Sequence, residues 1–86
     1  VFPDADPVHA AKGAAALKFL NAGQACISPN RLYVPNSLRS DFEETLCSRV
    51  SKLQTGKGLE DGIGVGPLVN DAAVSKVEQQ VEDARE

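Results

Sequence analysis

The sequence contains only one histidine and two cysteines among its 86 residues, which limits the metal sites it can build. A His-rich site is impossible with His9 alone, and Cys26, Cys47 and His9 lack the spacing of zinc ligands. We therefore expect no metal. There is also no Cys-x-x-Cys pair, which argues against a redox thiol protein.

The chain also lacks a basic excess and any long apolar run. Its net charge is −3 and its pI is near 5.0, whereas a nucleic-acid-binding protein would show a basic face. No apolar run approaches the roughly 20 residues of a membrane span. Asp4 and Asp6 lie where a signal peptide would be apolar. With two free thiols, the sequence predicts a cytoplasmic protein that binds neither nucleic acid nor membrane.

The hydrophobic pattern predicts the order strand, helix, strand, helix, loop and helix. Asp6 is a suitable N-cap and Pro7 a suitable first residue for a helix over about 7–21. This helix is apolar around most of its circumference and is therefore expected to be buried on several sides. Strands are expected at about 1–3 and 31–34. Together they predict a parallel βαβ unit, so the predicted fold class is α/β.

Two more helices complete the pattern. Apolar residues at three- and four-residue spacing predict an amphipathic helix over about 38–53 and another over about 71–85. The glycine-rich stretch 54–69 is expected to be a flexible surface connection. It has no Gly-x-Gly-x-x-Gly, and Lys57 is not followed by the Ser or Thr of a phosphate-binding loop. Cys47 lies away from the apolar stripe of its helix and is expected to be a passive packing residue.

The stretch Asn21-Ala22-Gly23-Gln24-Ala25-Cys26 places a thiol in a turn, over about 22–29, after the first predicted helix. Gly23 lets the backbone change direction, and the side chains of Asn21 and Gln24 are suited to bond the local backbone. A cysteine on a sharp turn suits attack on a small electrophile, because its sulfur and nearby backbone N–H groups can face one cleft. From these six residues alone, a half-buried structural cysteine is the alternative.

Three other blocks accompany this stretch along essentially the whole chain: Val1-Phe2-Pro3-Asp4-Ala5-Asp6, Asn30-Arg31-Leu32-Tyr33-Val34 and Gly66-Pro67-Leu68-Val69-Asn70. In this company, the Asn-x-Gly-Gln-x-Cys block resembles the nucleophile region of the aldehyde dehydrogenase superfamily. Residues 30–34 and 56–82 look most like succinate-semialdehyde dehydrogenases. Ser28 occupies the position where some of those relatives have a second cysteine, so no thiol pair is available at this site.

The resemblance implies an oxidoreductase in which Cys26 attacks the aldehyde carbon to form a thiohemiacetal. Hydride then passes to NAD or NADP, and water hydrolyses the resulting thioester to the acid. The backbone N–H of Cys26 is the oxyanion donor that this chain can supply. In the family, the glutamate base and a second oxyanion donor precede the position of Val1. We therefore expect no cofactor-binding residue, no bound cofactor and no dehydrogenase activity in this segment alone.

Length agrees with a partial chain. Residues 1–86 are one small domain at most, whereas family members are several times longer. The chain begins on Val1, inside an expected strand, and ends at Glu86 without a glycine cap. We interpret it as a fragment of a single aldehyde dehydrogenase catalytic domain that works with an aldehyde substrate and the rest of its polypeptide. Uncovered sheet edges predict self-association of the fragment, and we expect the parent enzyme to be a homo-oligomer.

Two alternatives stay open. One is a non-enzymatic interaction module, whose apolar helices dock on a partner and whose cysteine is incidental. The other concerns Arg31, which either meets the carboxylate of a semialdehyde acid or forms a surface ion pair. The identity of the aldehyde and the choice between NAD and NADP depend on residues outside this segment.

Overall fold

The computed structural model describes residues 1–86, which form three α-helices and no β-strand. Helix α1 spans Pro7–Phe19, α2 spans Arg39–Val50 and α3 spans Asp71–Arg85. A 3₁₀ turn at Leu20–Gly23 follows α1, and another at Asn36–Leu38 leads into α2. The ordered elements of the chain are therefore all helical.

The expected strands at about 1–3 and 31–34 are absent, so the predicted α/β class and its βαβ unit are not present in these 86 residues. At the first position the chain turns instead, because the Ala5 N–H donates to the Phe2 carbonyl at 3.1 Å. Pro3 lies within this turn and has no N–H to offer to a neighbouring strand. This short segment therefore cannot support a ladder by itself.

The two segments expected to be strands are nevertheless neighbours. The amino group of Val1 donates to the carbonyl of Tyr33 at 2.9 Å, across 32 positions of the sequence. One hydrogen bond does not make a ladder, and two strands without a third are marginally stable in water. The expected proximity is present, whereas the sheet is not.

Local capping explains where α1 begins and ends. The Asp6 carboxylate accepts the His9 N–H at 2.8 Å and so satisfies one of the free donors of the first turn. The helix ends at Phe19, because the next residue, Leu20, has a non-helical ψ of 125°. Asn21 and Ala22 follow with φ angles of 50° and 57°. These left-handed conformations cannot continue a right-handed helix.

The buried residues lie on α1 and α2, which pack against each other. Ala11 and Ala15 are 0% and 8% exposed and lie one turn apart on α1, while Phe42 on α2 is 2% exposed. Two alanines leave a flat stripe that a ring can approach closely. Leu17, on the opposite side of α1, remains 45% exposed, and Val8, on the same face as Ala11 and Ala15, is still 40% exposed. The expected burial of α1 on several sides is therefore not present within residues 1–86.

The chain is open as a whole. Its radius of gyration is 14.6 Å, whereas a compact domain of this length has a value of about 12 Å. Helix α3 has no buried residue, and Phe2, Tyr33, Leu59 and Val69 are each at least 79% exposed. These residues do not build a core sufficient for a free-standing domain.

No helix combines the length and the apolar character that a membrane crossing requires.

The glycine-rich loop between α2 and α3 is bonded to itself. The Gln54 carbonyl accepts the N–H groups of Gly64 at 3.0 Å and Val65 at 3.1 Å. The Gly56 N–H donates to the Val65 carbonyl at 3.1 Å. The two sides of this loop are therefore joined at its base, and its flexibility stays a prediction.

Candidate active site at the Cys26 turn

The chain leaves α1 through three consecutive residues with positive φ. These are Asn21 at 50°, Ala22 at 57° and Gly23 at 78°. Glycine adopts this conformation freely, whereas each L side chain there costs about 1–2 kcal/mol. The strained backbone starts a segment that we call the Cys26 turn, residues 20–28. Strain of this kind persists only where surrounding contacts hold it.

Cys26 lies at the corner of a tight turn. The Ser28 N–H donates to the Ala25 carbonyl at 3.0 Å, which makes Cys26 the second residue of a four-residue turn. Its thiol is free and its side chain is exposed, rather than half-buried as a structural cysteine would be. A small electrophile can therefore reach the sulfur from solvent.

The backbone around the thiol has N–H groups that are not used in hydrogen bonds. The N–H of Cys26 forms no hydrogen bond within the chain, and the same holds for Ala25 and Ile27. A backbone N–H next to a nucleophile can stabilise negative charge that develops on a carbonyl oxygen during attack. The geometry thus leaves the expected oxyanion donor of Cys26 unoccupied by any internal acceptor.

The Cys26 turn is tied back to the last turn of α1. The Ser28 hydroxyl donates to the Lys18 carbonyl at 3.1 Å in a partly buried bond. The Lys18 ammonium donates to the Asn30 side-chain oxygen at 3.4 Å. Gly23 also approaches this point, since a Cβ added there would lie 3.4 Å from the Lys18 carbonyl oxygen. The end of α1 therefore anchors both sides of the turn.

Gln24 makes the longest connection of the Cys26 turn. Its side-chain nitrogen donates to the Asn21 carbonyl at 2.9 Å, so it bonds the local backbone. Its side-chain oxygen accepts the Val69 N–H at 2.9 Å, across 45 positions. The sequence indicated the first kind of bond but not the second. The only signal for Val69 was its place in the Gly66–Asn70 block, which carried no assigned role.

No cavity surrounds the thiol within residues 1–86, since Cys26 lines none of the four concavities of the surface. The largest has a volume of about 570 Å³ and lies between the C-terminal parts of α1 and α2. Of the Cys26 turn, Leu20 and Asn21 contact it. Its other lining residues are Lys12, Ala15, Ala16, Phe19, Arg49, Lys52, Leu53 and Gly64. This groove is therefore separate from the exposed sulfur.

The remaining candidates do not join the Cys26 turn in a common site. Cys47, the expected passive packing residue, is exposed, because it lies about 140° around α2 from the buried Phe42. Arg31 is exposed and forms no ion pair. No cluster of His, Cys, Asp and Glu side chains could hold a metal ion.

The glycine-rich loop does not fit a dinucleotide. A phosphate-binding loop needs free backbone N–H groups that point at the phosphates. In this loop the N–H groups of Gly56, Gly64 and Val65 are already bonded to carbonyls of the loop itself. These three N–H groups are therefore not free to bind a phosphate.

Comparison with known proteins places the whole chain in one family. The family model described as "Aldehyde dehydrogenase family" matches residues 1–86. The chain is 50% identical over 86 residues to succinate-semialdehyde dehydrogenase (NADP(+)) of Escherichia coli strain K12, covering 100% of this chain and 18% of that protein. It is 49% identical over 84 residues to the mitochondrial succinate-semialdehyde dehydrogenase of Arabidopsis thaliana, covering 98% of this chain and 16% of that protein.

A third relative has a different substrate in its name. The chain is 45% identical over 84 residues to glutarate-semialdehyde dehydrogenase of Pseudomonas putida, covering 98% of this chain and 18% of that protein. No solved structure matches the chain. Residues 1–86 thus span less than a fifth of the length of these curated relatives. The family match over all 86 residues shows that the chain belongs to the aldehyde dehydrogenase family, a family of oxidoreductases.

Proposed function

We propose that the polypeptide containing this segment oxidises an aldehyde to the carboxylic acid with NAD or NADP, using Cys26 as its nucleophile. The observation that carries the proposal is the exposed Cys26 thiol at the corner of the hydrogen-bonded Cys26 turn, in a chain that belongs to the aldehyde dehydrogenase family. The proposed substrate class is a semialdehyde of a dicarboxylic acid, with succinate semialdehyde as the first candidate. The names of the similar relatives support this class.

The chemistry of Cys26 follows from its position. The thiolate adds to the aldehyde carbon, the C–S bond forms, and the carbonyl electron pair moves to oxygen. The unbonded Cys26 N–H can donate to that oxyanion. Conversion of this thiohemiacetal into the thioester requires loss of a hydride, for which the family uses NAD or NADP as acceptor. Water then adds to the thioester, the C–S bond breaks, and the acid leaves as the thiolate returns.

The rest of the site is proposed to come from outside residues 1–86. Cys26 lines none of the concavities of the surface. The carboxylates that form hydrogen bonds are Asp6, Glu43 and Glu82, none of which belongs to the Cys26 turn. The resemblance implies a glutamate base and a second oxyanion donor in a preceding segment. We therefore propose that the 86-residue chain by itself has no dehydrogenase activity. The cytoplasmic location and the homo-oligomeric parent also remain proposals.

The test uses the full-length polypeptide and its two cysteine variants. We expect turnover of succinate semialdehyde, with glutarate semialdehyde and butanal as the comparison substrates. Cys26→Ser should lower kcat by at least about 10³-fold, while Cys47→Ser, which removes the other exposed thiol, should change it by less than about twofold. Mass spectrometry of quenched enzyme should find the acyl group on the peptide with Cys26. Retention of most activity by Cys26→Ser would refute the assignment.

The interaction-module alternative has one observation in its favour, namely the many exposed apolar side chains, such as Phe2 and Tyr33 at 80% and 79% exposed. The same surface supports self-association of the isolated segment. Alkylation with iodoacetamide separates the two hypotheses. Both thiols are exposed, so in the full-length protein a nucleophile at Cys26 should react well before Cys47. Equal, slow labelling of the two would favour the module.

A further inference from the structure

One side chain joins the Cys26 turn to the start of α3. The Gln24 side-chain nitrogen donates to the Asn21 carbonyl, and its side-chain oxygen accepts the Val69 N–H, both at 2.9 Å. A primary amide is the group that offers a donor at one end and an acceptor at the other. A carbonyl on one side and an N–H on the other therefore fix the orientation of this amide. The bridge connects two sequence blocks that are 45 positions apart.

The Val69 end of the bridge is fixed by α3. The next residue, Asn70, caps this helix, because its side-chain oxygen accepts the Ala73 N–H at 2.9 Å. The Asn70 carbonyl also accepts the N–H groups of Ala73 at 3.1 Å and Val74 at 3.2 Å. The capped start of α3, which runs from Asp71 to Arg85, thus fixes the position of Val69, the residue before the cap. Gln24 is therefore bonded to a residue whose position is fixed by the start of α3, and not to a flexible part of the loop.

The Asn21 end of the bridge lies at the strained part of the turn. Asn21 and Ala22 are the only residues other than glycine with positive φ. The Asn21 carbonyl accepts from both the side chain and the backbone N–H of Gln24, at 2.9 Å and 3.1 Å. These two bonds close the left-handed bend immediately before Cys26. Loss of the side-chain bond leaves the bend closed by the backbone bond alone.

We propose that Gln24 is a positioning residue for Cys26, and that it acts by bonding the strained bend to the N-terminus of α3 through the Val69 N–H. The inference rests on the proposed function of Cys26 and adds a role for the Gly66–Asn70 block. That block holds the Cys26 turn in place, although Val69 itself is 79% exposed and contributes no packing to it. The thiol then approaches the substrate from a fixed direction, and misplacement lowers the rate of attack rather than binding.

The experiment compares two variants that break different ends of the bridge in the full-length polypeptide. Gln24→Met removes both hydrogen bonds at nearly constant length. Gln24→Glu keeps an oxygen for the Val69 N–H but loses the donor to the Asn21 carbonyl. Gln80→Met is the control, since Gln80 is exposed on α3 and its side chain forms no hydrogen bond.

The first readout, hydrogen exchange at the Val69 amide, does not depend on dehydrogenase activity. Gln24→Met should speed this exchange about tenfold, whereas Gln24→Glu and Gln80→Met should change it less than about threefold. The second readout is steady-state kinetics. Both Gln24 variants should lower kcat by about 10-fold to 100-fold and leave KM within about threefold of the wild type. Gln80→Met should change neither constant.

The outcomes separate this inference from the proposed function. Unchanged Val69 exchange in Gln24→Met, or a kcat in both Gln24 variants equal to that of Gln80→Met, would overturn the positioning role. If Gln24→Met fails to fold, the kcat of Gln24→Glu decides alone. The third outcome is a wild-type polypeptide that turns over no aldehyde, together with faster Val69 exchange in Gln24→Met. This result would refute the proposed function and the positioning of a nucleophile by Gln24, but it would still show that the hydrogen-bonded bridge exists.

Discussion

The hydroxyl of Ser28 donates to the carbonyl of Lys18 at 3.1 Å, so the residue two positions beyond Cys26 is fastened to the last turn of α1. The same residue closes the tight turn, because its N–H donates to the Ala25 carbonyl at 3.0 Å. From the sequence, Ser28 was notable only because it excludes a second thiol. In the structure it holds the far side of the bend that carries Cys26.

Replacement of Ser28 by alanine should therefore loosen the Cys26 turn. Loss of one partly buried hydrogen bond costs about 1 kcal/mol, which corresponds to roughly fivefold faster exchange of the Ser28 amide. Ser51→Ala is the matched control, because the Ser51 hydroxyl donates to the Ser48 carbonyl at the same 3.1 Å, at the C-terminal end of α2. Hydrogen exchange in the full-length polypeptide is the measurement. An equal response of the Ser28 amide to both variants would contradict the anchoring role.

Local features of the sequence predicted local features of the structure. Asp6, the expected N-cap of α1, accepts the His9 N–H at the start of that helix. This contact spans three residues and depends on side-chain chemistry that can be read from a short window of sequence. The motif that carries Cys26 is equally local, which is why its turn could be placed from the sequence. The role of Cys26 itself stays a prediction.

The predicted sheet failed for a nonlocal reason. The pattern of residues 1–3 and 31–34 suits strands, and a hydrogen bond from Val1 to Tyr33 does bring the two segments together. A parallel sheet, however, needs further strands and layers on both faces. Residues 1–86 do not supply them. The hydrophobic periodicity of a segment indicates that it can form a strand, but it does not show whether the neighbouring strands of the sheet are present.

The exposed Cys47 and the Gln24 bridge also show that a local sequence pattern does not reveal the tertiary contacts of a single side chain. Cys47 is expected from the sequence to be a passive packing residue, but its side chain is exposed, whereas Phe42 on the same helix is buried. The Val69 N–H, which donates to the Gln24 side-chain oxygen, lies 45 positions from Gln24. No local pattern encodes which N–H a distant amide will meet, so this contact could be found only in three dimensions.

Gly23 and Gly62 form a matched pair for testing the bend before Cys26. Their φ angles are +78° and +82°, so alanine at either position should cost about 1–2 kcal/mol of unfolding free energy. Only Gly23 lies in the Cys26 turn, beside the Lys18 carbonyl. We expect comparable losses in thermal stability from the two variants, but a fall in kcat of about tenfold or more from Gly23→Ala alone. Equal kcat values would show that the bend does not position the thiol.

The apolar circumference of α1 predicts that the remainder of the polypeptide covers it. Leu17 is 45% exposed within residues 1–86, and Leu59 in the glycine-rich loop is fully exposed. In the full-length protein, Leu17→Ala should lower stability by about 2–3 kcal/mol, as for a buried leucine. Leu59→Ala should lower it by less than about 0.5 kcal/mol, as for a surface substitution. Thermal melting curves check both values, and a Leu17→Ala curve that overlays the wild type would contradict the prediction.

Arg31 is expected to be a surface residue rather than the carboxylate-binding group of the substrate site. Its side chain is exposed, and it forms none of the ion pairs of this chain. Arg31→Ala should therefore change the KM for succinate semialdehyde by less than about twofold, as should the control Arg49→Ala. Butanal, which has no carboxylate, serves as the reference substrate. A rise in KM of about tenfold for the semialdehyde alone would instead assign the carboxylate contact to Arg31, because loss of a charge-assisted pair spares an uncharged substrate.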